Sequence, residues 1–131
     1  MALIIDTRFL LDHTFPSTDE DREQIIRFLK RLKQEKIYIP SVVIVEYLKV
    51  AGKIIGISAA KTKIRIWINS GVEPISLRSE EAMEAGEQAL RTPNIPLADI
   101  IIATLAKKYK AKIVSDDPHY KAIGVLTVWY K

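Results

Sequence analysis

The sequence predicts an α/β protein: a three-layer α/β/α sandwich around a mostly parallel central sheet of about five short strands. Three observations lead there. The strand-like runs are short and apolar throughout instead of alternating, which means burial on both faces. Helical segments separate them in βα order, as a parallel sheet requires. The chain has 131 residues, 48% of them hydrophobic, enough for one core without staples. One domain over residues 1–131 is expected.

Taken in order, "ALII" (2–5) reads as a buried strand. "STDEDREQIIRFLKRLKQEK" (17–36) is helical, with Ser17 and Glu20 at capping-box spacing and Ile25, Ile26, Phe28, Leu29 and Leu32 on one face. "IYI" (37–39) is a second strand. Pro40 and Ser41 open a helix through "VVIVEYLKVAG" that ends near Gly52, although its valines are poor helix formers. "SAAKTKIRIWINSG" (58–71) is a helix closed at Gly71, and "VEPISL" (72–77) a strand. Ser79 caps the helix "EEAMEAGEQAL". "IPLADIIIATLAKKYK" (95–110) is a helix with Pro96 early and Lys107, Lys108 and Lys110 near its end, where cations suit the dipole. "KIVS" (112–115) is a strand, "DPHYKAIG" (117–124) a short helix and "VLTVWY" (125–130) a last strand.

Composition excludes several chemistries. There is no cysteine, hence no disulfide framework, thiolate metal site or cysteine nucleophile. Residues 1–5 lack the basic start and apolar run of a signal peptide, and nothing is apolar enough to span a membrane, so a cytoplasmic protein is expected. A net charge of +4 fits contact with a polyanion without establishing it.

Many of the 16 acids lie in runs such as "TDEDREQ" and "SEEAMEAGE", which are solvated helix faces. A few sit in apolar company instead. Asp6 follows "ALII" at a strand's carboxyl end, as a turn or N-cap residue would. Glu46 sits inside "VVIVEYL" with Val42, Val43, Leu48 and Val50 as helical neighbours, so it either faces solvent, pairs or binds a cation. Asp99 shares a face with Ile102, Ala103 and Ala106, in a first turn where an anion also suits the helix dipole. Asp116 and Asp117 end "KIVS", and Pro118 makes Asp117 a natural N-cap. His13 and His119 have no ligand spacing and read as ordinary surface or loop residues. A parallel sheet can gather Asp6, Asp99 and Asp117 at one end, with Glu46 reaching in from a helix. Carboxylates so crowded need a cation, and an all-oxygen set suits Mg²⁺ or Mn²⁺, not zinc.

"IIDTRFLL", "IPSVVIVEYL" and "PLADIIIATLAKKYKAKIVSDDPHY", in that order and spacing, resemble the PIN domain, and within it the VapC-type ribonucleases of toxin–antitoxin pairs. The resemblance covers nearly the whole chain. It implies a PIN-like fold and a Mg²⁺- or Mn²⁺-dependent endoribonuclease acting on single-stranded RNA. Its acid quartet falls on Asp6, Glu46, Asp99 and Asp117 as catalytic and metal-binding residues. The fourth is set by the pattern Ser115, one variable position, Asp117, then Tyr120, which leaves Asp116 in the variable place. The resemblance also implies a homodimer and an antitoxin partner. Arg8 departs from it, standing where a small polar residue is more common, able to pair with a carboxylate or reach a phosphate. Two competing readings are a receiver-type phospho-acceptor domain, which needs acids after other strands than these, and a PIN-like RNA- or protein-binding module without activity. A nuclease that processes RNA without any antitoxin is a third.

Overall fold

The computed structural model describes residues 1–131. Five short strands form one sheet: β1 (Ala2–Ile5), β2 (Lys36–Pro40), β3 (Glu73–Ile75), β4 (Ala111–Val114) and β5 (Thr127–Val128), in the order β3-β2-β1-β4-β5. All four pairings are parallel. Leu3, Ile4 and Ile5 are consecutive, point to alternate faces and are all buried, so helices cover both sides of the sheet. The predicted sandwich is the observed one.

Seven helices connect the strands: α1 (Thr7–Thr14), α2 (Asp19–Arg31), α3 (Ser41–Ile55), α4 (Ile57–Asn69), α5 (Ser79–Arg91), α6 (Leu97–Tyr109) and α7 (Pro118–Ala122). The core joins β1 and β4 to Phe9, Phe28, Tyr47, Ile102, Leu105 and Tyr120. α6 is buried nearly all round, at Ile100 and from Ile102 to Ala106, because it crosses the centre of the sheet.

Several boundaries differ from the expectation. α1 occupies residues for which the sequence suggested no element. It is short, and what holds it is tertiary: Phe9 and Leu10 are buried, and Phe9 lies against Phe28, Trp67, Trp129 and Tyr130. α2 is capped by Thr18, whose hydroxyl accepts from Asp21 N, one residue later than the Ser17 box predicted. At α5 the cap position falls on Arg78, not Ser79, and its N–H donates to Glu81 Oε1, so the carboxylate three residues on does the capping. β3 and β5 are shorter than 72–77 and 125–130, since pairing stops where the neighbouring strand ends.

The end of α3 is the clearest correction. The helix runs past Gly52 and stops at Gly56, whose φ of 88° and ψ of 150° are essentially open only to glycine. Gly52 is helical, and a Cβ there would meet Ile57 Cδ1 at an ordinary 3.7 Å. The two glycines therefore respond oppositely to alanine. In chemical denaturation, Gly52→Ala is expected to gain about 0.5 kcal/mol, whereas Gly56→Ala loses about 2 kcal/mol. Equal responses would place the helix end elsewhere.

Candidate active site

The topology makes one special place on the sheet. From β1 the chain passes to β2 on one side, while β4 lies on the other, so the strand order reverses between β1 and β4. Crevices at the carboxyl ends of strands at such a point bind ligands in α/β sheets. In register, Ile5 pairs with Val114, so the next residues, Asp6 and Ser115, leave the sheet side by side.

Asp6 is only 6% exposed. Asp99 stands in the first turn of α6, and Asp117 begins α7 just beyond β4. Glu46 projects from α3 and accepts from Thr7 Oγ1 at 2.7 Å, a bond that ties α3 to the start of α1. All four acids line one open cleft of about 540 Å³, together with Thr7, Arg8, Leu11, Asp12, Lys49 and Val50. Asp12 is held at the edge by the Tyr130 hydroxyl at 2.8 Å.

Asp117 is both a helix cap and a member of this group. Its Oδ1 accepts from His119 N at 2.9 Å, while its own N–H donates to Ser115 Oγ at 3.0 Å. The cap thus uses one oxygen and leaves the other open. Asp116 turns away and pairs with Arg8, Nε to Oδ1 at 3.0 Å. The adjacent aspartates are divided between two partners.

The histidines are not ordinary surface residues. His119 Nδ1 lies 2.9 Å from Asp99 Oδ2 and 3.2 Å from Asp117 Oδ1, bridging the two. Its spacing hid this. The signal was Pro118: a helix that starts there puts residue 119 in its first turn, folded back over the cap. Asp99, Asp117 and His119 offer ligand atoms all within 4.8 Å of one another. His13 lies on α1, edge-on to Trp67 at 4.9 Å between centroids, and burial lowers its pKa, helped by Lys63.

Electrostatics tie the acids into one unit. Burial pushes Asp6 up to about 6, and the charges of Asp99 and Asp117 add to this against the Ser115 hydroxyl and the Thr7 amide. Asp99 is raised by burial first and by repulsion from Asp117 and Glu46, against the pull of His119. His119 is raised, chiefly by its hydrogen bond to Asp99. Tyr120 is fully buried, and burial with the acids around it holds its phenol far above the ordinary range. It therefore remains a neutral donor, with its hydroxyl 3.4 Å from Asp99 Oδ1.

Buried, mutually repelling carboxylates are the donor set that a hard divalent cation relieves, and oxygen ligands predominate, so the residues fit Mg²⁺ or Mn²⁺. The repulsion also has a pH signature. Between 3.8 and about 6 the folded protein holds a proton on Asp6 that the unfolded chain releases, so Asp6 makes the metal-free protein more stable as pH falls through that window. Asp6→Asn removes the penalty of the ionised form. In EDTA at pH 7.5 it is expected to raise unfolding stability by about 2 kcal/mol, an advantage nearly gone at pH 4. An advantage independent of pH would show that Asp6 carries no such strain.

Known proteins supply the context. The PIN domain pattern matches residues 3–126. No curated protein sequence matches significantly. Among solved structures, VapBC2 of Rickettsia felis, bound to a DNA fragment from its promoter, aligns with TM-score 0.79 at 19% identity over 98% of both chains. VapC20 of Mycobacterium tuberculosis, a toxin that cleaves the sarcin-ricin loop, aligns with TM-score 0.79 at 16% identity, covering 96% of this chain and 98% of its own. A toxin–antitoxin complex from Klebsiella pneumoniae aligns with TM-score 0.71 at 16% identity over 98% of both. With its switch-point crevice, its cluster of acids and a pattern match over nearly all its length, the chain belongs to the PIN domain family.

Proposed function

We propose that the protein is a divalent-metal-dependent endoribonuclease that cleaves single-stranded RNA, and that it is the toxin of a toxin–antitoxin pair. The observation that carries this reading is the meeting of Asp6, Asp99 and Asp117 with Glu46 in one cleft of a PIN domain. A monoanionic phosphodiester is repelled by such a cleft unless a cation joins it.

Asp6, Glu46, Asp99 and Asp117 would hold Mg²⁺ or Mn²⁺. When bound, the ion supplies neutralisation of the phosphate and acidification of water. The rest falls to the chain's own groups. Thr7 fixes one oxygen of Glu46 and leaves the other to orient a water on the cleft side. Ser115 sets the direction of Asp117 by accepting the Asp117 backbone N–H at its Oγ, and Tyr120 steadies Asp99. Attack by water at phosphorus, in line with the departing 3′ oxygen, leaves 5′-phosphate and 3′-hydroxyl ends.

The solved relatives support the toxin part: one is a toxin that cleaves the sarcin-ricin loop, another is a toxin–antitoxin complex. An antitoxin and a second copy of the chain are the proposed partners. Apolar side chains stand exposed on α3 and α4, with Val45 66%, Ile54 62%, Ile57 53% and Ile66 59% open to solvent, which suits protein contacts there. No helix is long and apolar enough to cross a membrane. A cytoplasmic location goes with the proposed RNA substrate and antitoxin partner.

Cleavage of labelled single-stranded RNA with Mn²⁺ tests the proposal. Asp6→Asn and Asp99→Asn should each slow cutting by at least about 100-fold, as ligand losses do, and EDTA should abolish it. Asp117→Asn should behave likewise, and Asp116→Asn should keep the wild-type kcat. Full-speed cutting by both Asp6→Asn and Asp99→Asn would sink the assignment. Binding without cutting under any divalent ion would leave a non-catalytic RNA-binding module.

A further inference from the structure

Two cations share the cleft with the acids, and the proposed chemistry uses neither. Arg8 enters from α1 and Lys49 from α3, one turn beyond Glu46. Both are exposed.

Their setting is unusual in two ways. First, Arg8 is already engaged, but loosely. The pair with Asp116 brings Nε to Oδ1 at 3.0 Å, with the side chains 61% and 36% exposed. An exposed ion pair contributes little and exchanges easily. A phosphate takes a guanidinium through two parallel N–H bonds, a stronger match than this single contact.

Second, the chain's charge is segregated. Residues 41–72 contain Lys49, Lys53, Lys61, Lys63 and Arg65 against a single acid, Glu46. That stretch, α3 and α4, carries a net +4, the same as the whole chain, so the remaining residues balance to zero. Lys49 is the cation of this stretch that lines the acidic cleft. A polyanion approaching the acids meets a favourable field on the α3–α4 side. At the lip it finds Lys49 on one wall and Arg8 on another.

We propose that Arg8 and Lys49 form a phosphate subsite that grips the RNA backbone beside the acid cluster, and that Asp116 holds Arg8 in reserve until a phosphate displaces it. The proposal rests on the nuclease reading and adds to it the groups that bind the nucleotides flanking the cut. It gives the two adjacent aspartates separate tasks: Asp117 belongs to the acid cluster, and Asp116 sets the availability of Arg8.

The test uses full-length protein and a fluorescein-labelled single-stranded RNA, with cleavage by the wild type as its first arm. In an Asp99→Asn background, anisotropy titrations at several salt concentrations read binding without turnover. Arg8→Ala and Lys49→Ala are each expected to weaken binding by about 10-fold and to lower the salt slope by about one, as loss of a phosphate contact does. Arg8→Lys should restore part of the affinity. Asp116→Asn should tighten binding by about 3-fold, and only while Arg8 is present. In the active enzyme, Arg8→Ala should raise KM and leave kcat within about 3-fold. Thermal melts of each variant check that the fold is retained.

If the wild type cuts RNA while Arg8→Ala and Lys49→Ala leave affinity and salt slope unchanged, the subsite is wrong and the nuclease reading stands. If Asp116→Asn weakens binding, the reserve role is wrong. If the wild type cuts no RNA with Mg²⁺ or Mn²⁺, the nuclease reading fails, and the titrations still decide whether the two cations bind a polyanion.

Discussion

Asp6, Asp99 and Asp117 repel one another at the end of a buried parallel strand pair, and much of the local structure exists to hold them there. Asp6 leaves β1 beside Ser115 at the end of β4, a neighbourhood fixed by the strand register. Its burial pushes its pKa up to about 6. A lone carboxylate in that position would be neutralised or expelled. Ser115, the Thr7 amide and the turn into α1 keep it in place, and α6 brings Asp99 against it from the core. The crowding is a standing destabilisation, of the kind proteins keep where a charged ligand is to be bound.

The groups around the acids serve two ends at once. Asp117 caps α7 through one oxygen and faces the cluster with the other. Thr7 is the first residue of α1 and also the donor that orients Glu46. His119 bridges Asp99 and Asp117 because the first turn of α7 folds it back over its cap. In each case a helix start supplies direction to a side chain that secondary structure alone would leave free, through a backbone N–H at Asp117 and through the side chains of Thr7 and His119 at the other two. Tyr120 stands beside Asp99 as a buried phenol that stays protonated.

Charge is sorted at a larger scale as well. The acids converge at the β1–β4 switch point, while the positive surface occupies α3 and α4. The two meet at Glu46 and Lys49, neighbours on one helix. A mildly basic chain can therefore present a negative cleft beside a positive wall, which a bare net charge of +4 would not suggest.

Fold class, sheet content and the parallel arrangement were legible in the sequence, because apolar runs too short and too uniform for anything but doubly covered strands state their own burial. So was the odd company of Asp6, Glu46 and Asp99, each an acid among apolar neighbours, and so was the cap at Asp117, announced by Pro118. What only the tertiary structure decided were relations between distant segments. α1 forms because Phe9 finds four aromatic partners from three other places in the chain, a stabilisation no local propensity records. Either glycine was locally acceptable as the end of α3, and the chain takes the glycine-only turn, φ 88° and ψ 150°, at Gly56 and keeps Gly52 helical. The bridge from His119 to Asp99 and the pair of Arg8 with Asp116 join residues 20 and 108 positions apart. Composition and spacing say which side chains are costly to leave alone. Which partner each one takes depends on strand order and register, since these alone bring separate segments within hydrogen-bonding reach.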